Sequence, residues 1–122
     1  MLIGTSGWQY GSWVDPFYGG APASLEAYSA KLPTVEINGT FYGLPERRVV
    51  AGWAARVADD FVFSAKASRY ITHMKKLKDP AEPVGRFFDA LEPLGRALEV
   101  VLFQLPPAWR CNAERLGAFL DS

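Results

Sequence analysis

A chain of 122 residues has single-domain length and falls far short of the ~250 residues of a complete (βα)8 barrel. With 49% hydrophobic, 14% aromatic and 21% charged residues, it has the composition of a folded globular protein, which excludes disordered and fibrous classes. Thirteen basic and thirteen acidic side chains cancel, so no whole-molecule field draws it to nucleic acid or to an anionic membrane.

No run approaches the ~18 apolar residues of a membrane span, and the single cysteine, Cys111, has no partner for an intrachain disulfide. Met1-Leu2-Ile3-Gly4 lacks the charged and long apolar regions of a secretion signal, so the expectation is a reduced, cytoplasmic protein without membrane contact.

Four short apolar, β-rich runs recur along the chain: Leu2 to Thr5, Thr34 to Ile37, Phe61 to Ala65 and Val100 to Leu105. Each is followed by a helical signature, the alternation expected of parallel strands with crossover helices. The first helix begins near Ser24, an N-cap residue, with Glu26 in its first turn, and ends before Pro33. The second opens at Pro45-Glu46 and carries Val49, Val50, Trp53, Ala54 and Val57 as one apolar stripe. The third starts at Asp79-Pro80, an N-cap followed by proline, and repeats the stripe with Val84, Phe87, Phe88 and Leu91; Pro93 ends or kinks it. The fourth starts at Asn112 with Leu116, Phe119 and Leu120 on one face.

Connections into the strands are brief, such as Leu32-Pro33, whereas those leaving them are long: Gly7 to Ala23, Asn38 to Leu44 and Ala67 to Lys78. In βα barrels the loops after the strands build the site, so the asymmetry marks the C-terminal face as the working one.

Gly4-Thr5-Ser6-Gly7-Trp8-x-Tyr10, followed by Trp13 and Phe17-Tyr18, resembles the opening of the YecE-like family, also called domain of unknown function seventy-two. The similarity continues through Thr34-Val35-Glu36-Ile37-Asn38-x-Thr40-Phe41-Tyr42, Pro45, Trp53, Phe61-x-Phe63-x-x-Lys66, Ile71-Thr72-His73 and Leu102-Phe103-Gln104-Leu105-Pro106-Pro107. The resemblance implies a TIM barrel akin to xylose-isomerase-like and endonuclease-IV-like barrels. It covers nearly all of this chain but about the first half of the family's domain. The expected fold is therefore α/β: residues 1–122 form a single partial domain, the (βα)4 half of a TIM (βα)8 barrel, with parallel strands and outer helices. Family membership leaves the activity open.

Polar residues at or just beyond the strand ends are the site candidates: Ser6, Glu36, Asn38, Lys66 and Gln104. Glu36 lies between Val35 and Ile37, where a lone carboxylate is strongly destabilising, so Lys66 or His73 is expected as its partner. Glu36 reads either as a general base or metal ligand, or as half of a buried ion pair joining two strands. His73, the only histidine, sits on the long loop after the third strand, and reads as a catalytic group or as a loop anchor. Glu36 and His73 are the only plausible metal contributors, too few for a xylose-isomerase-like site, so no metal site is assigned and the cofactor is left open.

Between Lys66 and Lys78 stand Lys66, Arg69, Lys75, Lys76 and Lys78 with no acid, while residues 1–65 carry four basic and six acidic side chains. Such a loop attracts anions, or is merely solvated. Nine of the seventeen aromatics (Trp8, Tyr10, Trp13, Phe17, Tyr18, Phe41, Tyr42, Tyr70 and Trp109) fall in strand-to-helix loops. There they either stack on a ligand or pack together as a lid. No Walker loop, dinucleotide glycine fingerprint, nucleophile elbow or HExxH is present.

The leading expectation is an enzyme-like site for an anionic ligand, a phosphorylated sugar or nucleotide-like molecule. Glu36, Lys66 and His73 act in it, and Ser6, Trp8, Tyr10, Asn38, Tyr42, Arg69, Lys75 and Gln104 bind. The alternatives are a non-catalytic nucleic-acid-binding barrel and an inactive half-barrel. Because four strands leave bare edges, either a homodimer that completes the barrel or a missing C-terminal half is expected.

Overall fold

The computed structural model describes residues 1–122. Its four strands are β1 (Gly4–Ser6), β2 (Thr34–Ile37), β3 (Val62–Lys66) and β4 (Leu98–Leu102). They form one parallel sheet in the order of the chain. The helices α1 (Leu25–Ser29), α2 (Arg47–Ala55), α3 (Ala81–Leu91) and α4 (Ala113–Leu120) alternate with them. Parallel neighbours require a crossover between them, and here each crossover carries a helix. The architecture is the (βα)4 half of a (βα)8 barrel.

Register decides which side chains share a face. Thr5, Val35 and Phe63 are aligned across three strands, as are Ser6, Glu36 and Ser64 one step on. Alternation sends these two rows to opposite faces. Val35, Ile37, Phe63 and Ala65 are buried on the helix side with Tyr28, Val50 and Phe87. The opposite face holds Ser6, Glu36, Ser64 and Lys66 and is open.

Gly4 lies where the strands come closest. A Cβ there would sit 2.0 Å from the Thr34 carbonyl oxygen, so only glycine fits the β1–β2 contact. The buried Tyr28 fastens α1 beneath the same pair of strands. Its hydroxyl accepts from the Thr5 N–H at 2.9 Å and donates to the Thr34 carbonyl at 2.8 Å.

The expected caps at Ser24 and Asn112 are present: their side-chain oxygens accept from the Ala27 and Arg115 N–H groups at 3.1 and 3.0 Å. Helix α3 differs. Asp79 was expected to cap it, but Pro80 occupies the cap position and the Asp79 carboxylate instead meets the Lys75 ammonium at 3.4 Å. The cause lies upstream, where a π-helical turn, Tyr70–Met74, is followed by left-handed backbone at Lys76, Leu77 and Asp79 (φ 50°, 64° and 43°). Asp79 therefore lacks the extended backbone from which a side chain caps a helix.

Pro93 opens a 3-10 turn, Glu92–Ala97, and the actual break falls at Gly95 (φ 54°, ψ −128°). β4 starts soon after that break, two residues earlier than the apolar run suggests, and ends at Leu102 rather than Leu105. The helical stripes are also narrower than expected, because residues i and i+1 point ~100° apart. Phe87 is buried while Phe88 is exposed, and Val50 is buried while Val49 is exposed. On α4, Phe119 packs on Phe103 (ring centroids 5.1 Å apart), but Leu116 and Leu120 remain in solvent.

Candidate functional site at the strand C-terminal ends

The open face is polar where barrel interiors are normally apolar. Along the row Ser6–Glu36–Ser64, the Ser6 hydroxyl donates to Glu36 Oε1 at 3.1 Å. A cavity of about 260 Å³ lies over this row and over Thr34. None of the six ion pairs includes Glu36, so its partner is Ser6 rather than the expected Lys66 or His73. The reason is parity: Val35 and Ile37 point to the helices, which leaves Glu36 half-buried among hydroxyls on the open side. A carboxylate so placed needs no counter-charge.

Above this row, the loops after β2 and β3 are tied together. The buried Thr40 hydroxyl lies 3.0 Å from the Ile37 carbonyl and 2.6 Å from that of Lys66. This fixes the turn Gly39–Phe41 and with it the Phe41 ring. Lys66 Nζ sits 5.6 Å from the centre of that ring, and the His73 imidazole meets its edge at 5.1 Å. His73 Nδ1 is 2.8 Å from the Thr72 hydroxyl, which fixes the ring's orientation. Tyr42 packs edge-on against Phe41 at 5.0 Å, and the Arg69 guanidinium lies 5.7 Å from the Tyr42 ring centre. Asn38 Oδ1, at the end of β2, is buried without a hydrogen-bond partner.

Three cationic or titratable groups thus gather on two rings in the loops that follow β2 and β3. Lys66 lies two residues beyond Ser64, the register partner of Glu36, and so shares its face.

The other candidates divide. Trp8, expected at the barrel mouth, is buried against Trp53, with ring centroids 5.9 Å apart, and its carbonyl accepts from the Tyr18 hydroxyl at 2.5 Å. Tyr10 is exposed, but its hydroxyl donates to the Ser6 carbonyl and its ring packs on Trp13. A chain of ring contacts runs from there through Phe17 to Tyr28, Phe61 and Phe63. The loop after β1 therefore packs as a lid continuous with the core. Lys75 faces a separate cleft of about 660 Å³ between the π-helical turn and α3, and Gln104 is exposed beyond β4.

The profile of the family described as "Protein of unknown function DUF72" matches residues 2–122. The chain belongs to the DUF72 family. It is 33% identical over 123 residues to the UPF0759 protein YecE of Escherichia coli (strain K12), covering 100% of this chain and 44% of that protein. To the UPF0759 protein YunF of Bacillus subtilis (strain 168) it is 30% identical, covering 96% and 44%.

Two crystal structures of a DUF72 family protein from Enterococcus faecalis V583 superpose with TM-scores of 0.79 and 0.72. They share 24% and 23% identity, over 98% of this chain and 44% and 45% of theirs. The DUF72 chain thus spans a little under half the length of these relatives, and the likeness to the crystal structures bears on fold alone. No helix is long and apolar enough to cross a membrane.

Two DUF72 residues central to the geometry were not singled out as site candidates from the sequence. Phe41 stood among the loop aromatics, and its place immediately after β2 beside Thr40 was the available signal. Ser64 had none, because it joins Glu36 only through the strand register.

Proposed function

We propose that the strand C-terminal ends form an enzyme-like site for an anionic, ring-containing ligand of the phosphorylated-sugar or nucleotide-like class. The observation that carries this reading is the polar row Ser6–Glu36–Ser64 on the same sheet face as Lys66, whose ammonium, like the His73 imidazole, packs on the Phe41 ring at the ends of β2 and β3. Barrel interiors are usually filled by branched apolar residues, so a carboxylate and two hydroxyls in that layer add little to packing and remain available to a ligand. In this reading Lys66 and Arg69 bind the anionic group, and Phe41 and Tyr42 face the ring. Glu36, steadied by Ser6, accepts a proton, while His73, oriented by Thr72, exchanges one. The buried, unpartnered Asn38 oxygen supplies an acceptor for a ligand hydroxyl or amine.

The site requires a closed barrel. β1 and β4 each pair on one side only, and either a second copy of the chain or the other half of a longer chain closes them.

Titration of the whole protein with sugar phosphates and mononucleotides, with turnover followed in parallel, tests the reading. Lys66→Met should weaken binding at least ~10-fold, and Glu36→Gln should keep binding while abolishing turnover. Binding indifferent to Lys66→Met and Arg69→Met would overturn it. The basic run Lys66–Lys78 gives a nucleic-acid-binding barrel as the second reading. That reading predicts affinity for oligonucleotides that falls steeply with salt, whereas a small-ligand pocket responds weakly.

A further inference from the structure

Four of the five cations between Lys66 and Lys78 go to three different places. Lys66 and Arg69 face the rings at the ends of β2 and β3, and Lys75 is held by Asp79. Lys76 turns elsewhere. Its left-handed backbone is followed by the buried Leu77, whose N–H donates to the Ile71 carbonyl at 3.0 Å. Leu77 anchors the loop from below, and Lys76 projects into a second cleft, of about 240 Å³, between the loop after β3 and the loop after β4.

That cleft is lined by Lys76, Arg110 and Arg115 together with Trp109, and no acidic residue lines it. None of the three cations takes part in any of the six ion pairs. The walls are fixed. The Trp109 N–H donates to the Pro106 carbonyl at 2.9 Å, closing a tight turn. The Asn112 cap on the Arg115 N–H sets the first turn of α4, and the Arg115 guanidinium lies 5.8 Å from the Trp109 ring centre. Three unpaired positive charges facing one concave space repel each other, and a bound anion relieves that repulsion. Two are guanidinium forks suited to phosphate oxygens. The volume suits a phosphate with a small substituent and lies below the range of drug-sized pockets.

We infer that this cleft binds a phosphate group, as inorganic phosphate or as a phosphate monoester, independently of the site at the ends of β2 and β3. Binding of inorganic phosphate and of phenyl phosphate at constant ionic strength is read from the amide signals of residues 109–115 and the Trp109 indole N–H in heteronuclear NMR. Saturable shifts are expected. Lys76 and Arg110 are exposed, so Lys76→Gln and Arg110→Gln should leave the fold intact while weakening phosphate at least ~10-fold together. Arg110→Lys should recover part of the loss.

Lys66→Met should leave these shifts unchanged; if it removed them, the phosphate would belong to the strand-end site and the inference would fail. Tighter binding of phenyl phosphate than of inorganic phosphate assigns the cleft to an ester, and equal binding assigns it to the free ion. Shifts that rise linearly without saturating, that chloride reproduces, or that survive the double glutamine variant would overturn the inference.

Discussion

The two faces of the sheet come from the same strands and differ only in residue parity. On the helix side, Val35, Ile37, Phe63 and Ala65 are at most 2% exposed and sit in a continuous apolar core with Phe87 and Tyr28. On the open side, their immediate neighbours Glu36, Ser64 and Lys66 are half-exposed and polar, and the apolar side chains are Val62 at the start of β3 and the β4 edge, with Val100 59% and Leu102 42% exposed. Packing on the first face uses volume and shape, which is how cores stabilise. The second face contributes little packing and presents ionisable groups to a cavity. A one-residue slip in register would exchange the two sets, so the helices that cover Val35 and Phe63 also fix Glu36 and Lys66 on the open side.

The most drastic test of this contrast compares adjacent residues. Phe63→Ala should cost about 3–5 kcal/mol, since it leaves a cavity in a fully packed site, whereas Ser64→Ala, one residue on and facing the other way, should cost less than about 1 kcal/mol. Chemical denaturation of both variants measures the gap. Small domains have ~5–15 kcal/mol in total, so the first substitution should bring the chain close to unfolding. Equal losses would mean that the open face is as tightly packed as the core, and the division between the faces would fail.

What could be read from the amino acids follows the same division. β2 was bounded correctly because Pro33 and Gly39 flank an alternating segment, and the Ser24 and Asn112 caps because capping is local chemistry. The placement of β4 failed because Leu98 to Leu105 is rich in apolar residues with no alternation to bound it, so pairing with β3 sets the limits instead. The π-helical turn after β3 depends on Leu77 reaching the core, a tertiary contact with no local signature. At the site, the expected convergence of Glu36, Lys66 and His73 rested on β2 and β3 being neighbours; Lys66 and His73 each contact the Phe41 ring, and neither pairs with Glu36. The partner of Glu36 did not follow, because a sequence does not say which parity of a strand faces the helices. Trp8 was misplaced for a related reason: its position in a loop suggested the mouth, whereas its actual partner, Trp53, lies on α2.

A smaller effect probes the lid that joins the loop after β1 to the buried face. Burial, and secondarily the neighbouring Tyr28 phenol, raises the Tyr18 pKa above its usual 10.0. Between pH 10 and that raised value, the unfolded chain releases this proton while the folded chain retains it. The folded state then binds more protons, so stability should be intact below pH 10 and fall as pH rises through the native pKa. Tyr18→Phe leaves the Trp8 carbonyl without its donor, which should cost about 1 kcal/mol near neutrality. It should also flatten the alkaline decline, as unfolding free energies of both proteins from pH 8 to 11.5 will show. An unchanged slope would place the Tyr18 hydroxyl in water and detach the lid from the core.

The smallest expected change lies on the open face itself. Glu36→Gln keeps an acceptor for the Ser6 hydroxyl at nearly the same position, removes a charge that pairs with no cation, and alters no apolar contact. Its effect on folding should stay within about 0.5 kcal/mol, the range of substitutions outside packed or charge-paired sites. A large result would be more instructive than a null one. A loss of 3 kcal/mol or more is typical of breaking a buried ion pair, and in the whole protein it would mean that closure of the barrel brings a cation onto Glu36. The carboxylate would then hold the barrel together, and the proton-accepting role proposed for it would have to pass to His73. A near-zero change in folding together with lost turnover would instead separate the two faces cleanly, with stability on the parity of Phe63 and chemistry on the parity of Glu36.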